Sequence, residues 1–253
     1  MSAARPLPPS ARENGASADA PPVDTPTDDG PARRPGRLSP AEWRRRALHF
    51  SPGLLPPLLW YVPHRVPLSP ILRGILLTVF VALTATAWFR WREVRRTEGE
   101  EDAFNGRFAS VFGYAAGVVL PLFCFPDRPE CAFAVLGVLA FGDGSATLFG
   151  KLAAGSRWGA RLPWNREKSW VGLLAFVLCG TAGAAILYRG ELMNPEAVTP
   201  LPDWGTAALI GLGGALPAGL WESARSRIND NVRVALAAAL GVLGAHAVRV
   251  GGF

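Results

Sequence analysis

The sequence predicts an all-α fold: a polytopic transmembrane helix bundle with about seven spans and a cytoplasmic N-terminus. The mean hydropathy of the 253 residues is +0.19, although the first 46 residues are polar. Beyond them, the charges are gathered into short clusters that separate uncharged runs of roughly 17–20 residues, the length that crosses a bilayer core. These runs also lack the single polar face of a soluble amphipathic helix.

Residues 1–43 are predicted to form a disordered polar tail. They are rich in Pro, Ala, Ser, Asp and Arg and show no apolar periodicity, so they cannot bury enough surface to become ordered. No apolar segment of the kind found in secretory signals follows the initiating Met. Residues 44–253 are predicted to form one transmembrane domain.

The domain contains seven uncharged or weakly charged runs that are candidate spans. The candidates lie near 48–63, 70–89, 108–125, 131–149, 170–188, 204–221 and 233–250. The first is short and holds Pro52, Pro56 and Pro57, which predicts a kinked or re-entrant segment. The fourth ends in Gly142-Asp143-Gly144-Ser145, which places a carboxylate at or near the membrane interface.

The basic residues of the loops predict the orientation. Arg44, Arg45 and Arg46 precede the first span, and the loops near 90–107, 151–168 and 225–233 are also rich in Arg or Lys, whereas the alternate loops are poor in them. Because cytoplasmic loops carry the excess of Lys and Arg, the N-terminus and the basic loops are expected inside and the C-terminus outside. If the first span does not cross, the tail lies outside instead.

Topology also accounts for the net charge of +6. The basic residues form no single stripe, and no zinc-finger, helix-turn-helix or aromatic RNA-binding pattern accompanies them, so nucleic acid is not an expected partner.

The three cysteines have no CxxC spacing and no nearby His, and we interpret them as small apolar fillers. His64 and His246 are assigned no role.

The first candidate site surrounds Asp143. A carboxylate is expensive in an apolar span, and Gly142 and Gly144 on either side would let a ligand approach the backbone. Asp is a natural ligand of Mg²⁺, which proteins often hold with one or two carboxylates and substrate phosphates. Alternatively, Asp143 only marks a helix end and a turn.

The loop after the fourth span carries basic residues that could neutralise phosphates. They are Lys151, Arg157, Arg161, Arg166 and Lys168. Ser169 is expected near the N-terminus of the fifth span, where free backbone N–H groups favour anions. The P-loop pattern is absent because Leu152 follows Lys151, and the basic cluster by itself also fits the positive-inside rule.

The third point of interest is the segment from Trp221 to Arg233, which is expected on the same side of the membrane. Asp230 and Asn231 could cap the last span, or they could supply a second metal carboxylate and an amide for a nucleotide. His49, at the start of the first span, is expected at the cytoplasmic interface, where a lone His is usually structural.

At these residues the chain resembles the polyprenol kinase family, which includes phytol kinase, dolichol kinase and the CTP-dependent diacylglycerol kinase. The resemblance rests on RRALHF, GDGSATLFGK, LPWNREKSWVG and ESARSRINDN, taken in that order, and extends from about residue 44 to 240. The family often has Asp-Asp-Asn where this chain has Asn229-Asp230-Asn231, which is one carboxylate fewer.

The resemblance implies a kinase-like domain over 44–253 that transfers the γ-phosphoryl group of a nucleoside triphosphate, with CTP as the usual donor, to the hydroxyl of a membrane prenol such as phytol, geranylgeraniol or dolichol. It implies Mg²⁺ held by Asp143 and Asp230, phosphate binding by Lys168 and Ser169, and His49 at the acceptor end. The remaining positions implied in nucleotide or metal binding are Gly142, Gly150, Lys151, Glu222 and Asn231. The implied location is a bacterial inner (cytoplasmic) membrane, with the site on its cytoplasmic face.

Two other interpretations remain. Phosphatidate cytidylyltransferases share a similar membrane architecture and a Gly-Arg…Lys-(Ser/Thr)-x-x-Gly arrangement, but the C-terminal signature of that family has no counterpart in this chain. A transporter or structural membrane protein would need no catalytic residues. Transporters, however, often place charges near the midplane of broken helices, whereas the spans here are nearly uncharged inside.

Overall fold

A computed structural model describes the part of the chain that holds most of the predicted site residues. The described residues are 43, 47, 49–66, 69–71, 74, 75, 77, 78, 81, 118, 119, 121–157, 159–225 and 230–251, without the side chain of Asp230. The predicted tail, apart from Trp43, and most of the expected spans near 70–89 and 108–125 lie outside the described residues. Within the described part, every regular element is a helix, as the sequence predicts, and one isolated β-bridge joins Arg161 and Ser169.

Four long helices form the body of the described structure. They are α1 (Pro129–Leu152), α2 (Trp170–Glu191), α3 (Trp204–Ser223) and α4 (Asp230–Arg249). Within the described residues, three helices are long and apolar enough to cross a membrane: α1, α2 and the Asn231–Arg249 part of α4. They coincide with the expected spans near 131–149, 170–188 and 233–250. Helix α3 falls outside this set, although its 20 residues match the expected span near 204–221, because five glycines and Pro217 lower its hydropathy.

The expected first span does not form one continuous helix in its described residues. Two short 3₁₀ helices, Ser51–Leu54 and Pro56–Leu58, are followed by turns. The local hydrogen bonds run from Leu55 N–H to the Pro52 carbonyl and from Leu59 N–H to the Pro56 carbonyl. Proline lacks the N–H that a longer α-helix would require, which explains the short turns.

Small residues let the long helices approach closely. A Cβ atom at Gly137 of α1 would lie 2.6 Å from the backbone nitrogen of Ala184 in α2. A Cβ atom at Gly211 of α3 would lie 2.6 Å from the carbonyl oxygen of Thr181 in α2. Such contacts are typical of helix pairs packed within membranes, where close backbone approach replaces the hydrophobic driving force.

Pro217 shapes the contact between α3 and α4. Because proline has no N–H, the carbonyl of Gly213, four residues earlier, loses its usual helical partner. That carbonyl faces Gly241 of α4, at a position where a side chain would collide with it. The glycine therefore allows α4 to pack against the part of α3 that proline disrupts.

The bundle has two distinguishable ends. At the end that we call the pocket end, α1 and α3 finish and α2 and α4 begin, and Arg233 near the start of α4 donates a hydrogen bond of 2.8 Å to the Trp221 carbonyl of α3. At the other end, the far end, α1 and α3 begin and α2 and α4 finish. There, Arg189 of α2 donates to the Pro202 carbonyl just before α3 and lies over the ring of Trp204.

Candidate functional site

A cavity of ≈ 430 Å³ lies at the pocket end. Its walls come from the last turns of α1, the loop before α2, the first turn of α2 and the last turn of α3. Six residues that the sequence predicts for the site line this cavity: Gly150, Lys151, Arg161, Lys168, Ser169 and Glu222. The structure therefore brings together three segments that are separate in the sequence.

Two glycines make room for the cavity where α1 meets α2. A Cβ atom at Gly172 would lie 3.0 Å from the Ala146 carbonyl, and one at Gly150 would lie 3.4 Å from the Ser169 hydroxyl. Any side chain at Gly172 would thus force the two helices apart. Gly150 is both a packing residue and part of the cavity wall.

Ser169 is the N-cap of α2. Its backbone is extended, and its hydroxyl oxygen accepts a hydrogen bond of 3.1 Å from the N–H of Gly172. The expected position of Ser169 near the start of this helix is therefore confirmed, and the N-terminus of a long helix lies at the cavity. Backbone N–H groups and the helix dipole make such a position favourable for anions.

Lys168 and Glu222 form a salt bridge across the cavity. The distance from Lys168 Nζ to Glu222 Oε1 is 2.5 Å, and the side chains are 34% and 6% exposed, respectively. About a third of the lysine side chain is therefore exposed, while the glutamate side chain is almost fully buried. The sequence predicts phosphate binding for Lys168 and ligand binding for Glu222, but it does not predict their pairing.

The loop between α1 and α2 is fixed to the end of α3. Asn165 Nδ2 donates 3.1 Å to the carbonyl of Ser223, and Trp164 Nε1 donates 3.0 Å to the Ser223 hydroxyl. Within the loop, Leu162 N–H donates 3.0 Å to the Lys168 carbonyl. These bonds hold Lys168 in position above Glu222.

The charges of the cavity lining favour an anionic ligand. Three cations, Lys151, Arg161 and Lys168, line it together with the carboxylates of Glu167 and Glu222. The Arg161 guanidinium is held at one end by a hydrogen bond of 3.1 Å to the Glu167 carbonyl. Arg157 and Arg166, which the sequence groups with the other phosphate-neutralising residues, are not among the lining residues.

Asp143 does not lie at a helix end, so the interpretation as a helix end followed by a turn is wrong. Helix α1 continues for nine residues beyond it, and Asp143 closes a π-helical segment, Val138–Asp143. The hydroxyl of Ser145 lies 2.8 Å from the Gly142 carbonyl and 3.0 Å from the Ala175 carbonyl of α2. Wider π-helical turns often occur at functional sites.

His49 meets Asp143 at this segment. His49 Nε2 lies 3.1 Å from Asp143 Oδ2 and 3.2 Å from the Leu139 carbonyl. The adjacent Phe50 covers Gly144, where a Cβ atom would lie 2.6 Å from its ring. The structure thus pairs two predicted site residues that are far apart in the sequence.

The His49–Asp143 pair is next to the cavity without lining it. Thr147 lies one helical turn after Asp143, and Thr147 does line the cavity. Gly142 is a packing residue, because a Cβ atom there would lie 3.0 Å from the ring of Phe176.

The start of α4 provides the last predicted residues. Asn231 is half-buried and is not among the residues that line the cavity, and the side chain of Asp230 lies outside the described residues. The structure adds Thr147, Glu167 and Ser223 to the predicted cavity residues. All three lie within the segments that carry the resemblance, but the sequence gives none of them a role of its own.

Three described carboxylates lie in the cavity wall or one helical turn from it. Glu167 and Glu222 line the cavity, Asp143 lies one turn before the lining residue Thr147, and oxygen ligands of this kind are those that Mg²⁺ prefers.

Comparison with protein-family models, curated proteins and solved structures finds no match to this chain.

Proposed function

We propose that this chain is a multi-pass membrane kinase that transfers the γ-phosphoryl group of a nucleoside triphosphate to the hydroxyl of a prenol. The observation that supports this most is the cavity at the start of α2, where Gly150, Lys151, Lys168, Ser169 and Glu222 meet. These residues come from three motifs that resemble those of polyprenol kinases. That resemblance names CTP as the donor and phytol, geranylgeraniol or dolichol as acceptors.

In the proposed site, some cavity residues would bind the triphosphate and others would hold those residues in position. Lys151, Arg161 and Lys168 would neutralise the triphosphate, and the N–H groups at the start of α2 would orient it. Glu222 would keep the Lys168 ammonium directed into the cavity. Phosphoryl transfer depends mainly on such positioning and charge neutralisation.

In this proposal Mg²⁺ would be held by Asp143 and, by the resemblance, Asp230. The ion would offset the charge of the transferred phosphate and of the leaving group. The pairing of His49 with Asp143 at 3.1 Å puts an imidazole next to the metal carboxylate. His49 would then accept the proton of the prenol hydroxyl as that oxygen attacks the γ-phosphorus.

The apolar surface agrees with a membrane acceptor. Large apolar side chains are exposed along α2, α3 and α4, among them Leu174, Leu178, Leu212, Leu216 and Leu240. Lipid tails can contact such faces at no desolvation cost, and a prenol can reach the cavity from the same phase. The basic pocket end would face the cytoplasm of a bacterial inner membrane, in agreement with the positive-inside rule.

The test is phosphate transfer by the purified full chain with Mg²⁺. CTP labelled at the γ-phosphate, with ATP in parallel, is supplied with a panel of prenols and diacylglycerol in mixed micelles. A labelled prenyl phosphate is expected. Release of pyrophosphate from CTP with phosphatidate would instead establish a cytidylyltransferase, and no reaction in either assay by folded protein would refute both enzymatic functions.

A lysine variant and an arginine variant test whether the activity belongs to the cavity. Lys151→Met removes a charge from the exposed rim and is expected to raise the KM for the nucleotide more than 10-fold, the effect of losing about 1.4 kcal/mol of binding. Arg166→Met removes a charge from the loop between α1 and α2, outside the cavity lining, and is the matched control, which should retain activity. Equal KM values for the two variants would contradict the assignment of the cavity.

A further inference from the structure

A second group of polar side chains is buried at the far end of the bundle. Glu130 and Cys131 lie at the start of α1, and His246 lies in the last turns of α4. One ligand atom of each, a carboxylate oxygen, the sulfur and a ring nitrogen, lies within 4.8 Å of the other two. All three residues are buried, with exposures of 2%, 0% and 0%. We call them the far-end cluster.

Neighbouring side chains fix the far-end cluster. The hydroxyl of Tyr188, at the end of α2, lies 2.7 Å from Nδ1 of His246. Thr199 donates its hydroxyl hydrogen to Glu130 Oε1 at 2.5 Å, and Arg128 donates to the Thr199 hydroxyl oxygen. Residues that bind metal ions are commonly oriented in this way by hydrogen bonds to their outer atoms.

We propose that the far-end cluster binds a zinc ion. A thiolate, an imidazole and a carboxylate are the ligand types that zinc takes in proteins, whereas Mg²⁺ takes oxygen ligands. The Cys131 thiol would lose its proton to solvent as the Zn–S bond forms. Two negative ligands and a neutral imidazole then balance the 2+ ion, so the buried group carries no net charge, which lowers the cost of burying Glu130.

The position of the cluster supports the proposal. Glu130 and Cys131 lie in the first turn of α1, and a helix N-terminus favours both a carboxylate and a thiolate. Zinc bond lengths place the ligand atoms of a tetrahedral site about 3.3–3.7 Å apart, so atoms that already lie within 4.8 Å of one another would each have to approach by no more than about 1.5 Å. The ion would bridge α1 and α4, and the contact between the Tyr188 hydroxyl and His246 would link α2 to the same site.

The far-end cluster is independent of the proposed kinase activity, because it lies at the end of the bundle opposite the cavity. The test is the metal content of the purified full chain. Protein produced in zinc-supplemented medium is washed with a chelator and analysed by mass spectrometry of the elements. Stoichiometric zinc is expected, and zinc no higher than in a membrane protein without such a cluster would overturn the proposal.

Variants locate the ion. Cys131→Ser and Glu130→Gln are expected to reduce bound zinc at least 10-fold, whereas Cys179→Ser, which changes a half-buried cysteine outside the cluster, should leave it unchanged. Tyr188→Phe should weaken zinc retention in chelator competition by about 10–100-fold, the usual effect of removing an outer partner. Zinc that is equally retained by Cys131→Ser and Cys179→Ser would place the ion elsewhere and refute the site.

Cobalt provides a measurement on the unmutated chain. Protein loaded with Co²⁺ is expected to show a thiolate-to-cobalt charge-transfer absorption if Cys131 is a ligand. The Cys179→Ser protein should show the same band. Metal-loaded protein without the band would exclude sulfur from the site and overturn the proposal even if the Cys131 variant does not fold.

Discussion

The salt bridge between Lys168 and Glu222 predicts that its two partners are unequal. Lys168→Met removes the partner of a glutamate whose side chain is 6% exposed, whereas Glu222→Gln removes the charged partner of a lysine whose side chain is 34% exposed. Water can solvate the lysine head far better than the buried carboxylate. The lysine substitution should therefore lower the free energy of unfolding more than the glutamate substitution.

The exposures set the expected magnitudes. Removing one partner of a buried ion pair costs about 3–5 kcal/mol, and the low end, about 3 kcal/mol, suits Lys168→Met because the cavity admits some water. Losing a hydrogen bond to a charged group costs about 1.5 kcal/mol at the lower limit, which suits Glu222→Gln. The double variant should cost no more than Glu222→Gln alone, about 1.5 kcal/mol, because it leaves no unpaired carboxylate in the buried position.

The assay is unfolding of the detergent-solubilised chain by increasing denaturing detergent, followed by far-UV circular dichroism. Arg166→Met is the control, because this exposed loop residue should change the free energy by less than about 0.5 kcal/mol. Equal costs for Lys168→Met and Glu222→Gln, or a double variant whose cost equals the sum, would refute the inference that a buried carboxylate depends on this lysine.

Three further predictions concern a helix contact, a helix cap and the metal carboxylate. Gly137→Ala should lower the unfolding midpoint because its Cβ would lie 2.6 Å from the Ala184 backbone, whereas Gly244→Ala in α4, with nothing within 4 Å, should not; equal midpoints would contradict the close α1–α2 contact. The backbone N–H and the hydroxyl of Thr206 donate hydrogen bonds that lower the pKa of Asp203. The stabilisation of the fold by this cap should therefore be present above the usual pKa of Asp and be lost as the pH falls through the lowered pKa. Asp203→Ala should therefore unfold more easily than wild type at neutral pH, and the gap should close in acid; a gap independent of pH would exclude the cap. Asp143→Asn should abolish phosphate transfer while the unfolding midpoint and helix content stay near wild type, and retained activity would remove Asp143 from the metal role.

Much of the described fold follows from the sequence, because length and apolar composition specify α1, α2 and α4 directly. The start of α2 was also predictable, since Ser169 precedes an apolar run and caps it. The prolines at 52, 56 and 57 indicated an irregular first segment, and the structure shows 3₁₀ turns there. In these cases local chemistry determines the conformation.

The remaining features depend on contacts between distant residues. Lys168 and Glu222 belong to different motifs, and neither local sequence shows that the other will lie 2.5 Å away. The far-end cluster is a stronger case, because Cys131 has no nearby His in the sequence and was interpreted as a filler. Only the antiparallel packing of α1 and α4 brings His246 to it.

The π-helical segment of α1 has a consequence for every residue after it. A helix that accommodates one extra residue in a turn rotates all later side chains by about 100° relative to an uninterrupted α-helix. The direction in which Lys151 and Gly150 face is therefore set at Val138–Asp143, two to three turns earlier. Deleting one residue there would leave the composition of the helix almost unchanged. It would nevertheless rotate Gly150 and Lys151 away from Lys168 and Ser169, which immediately precede α2.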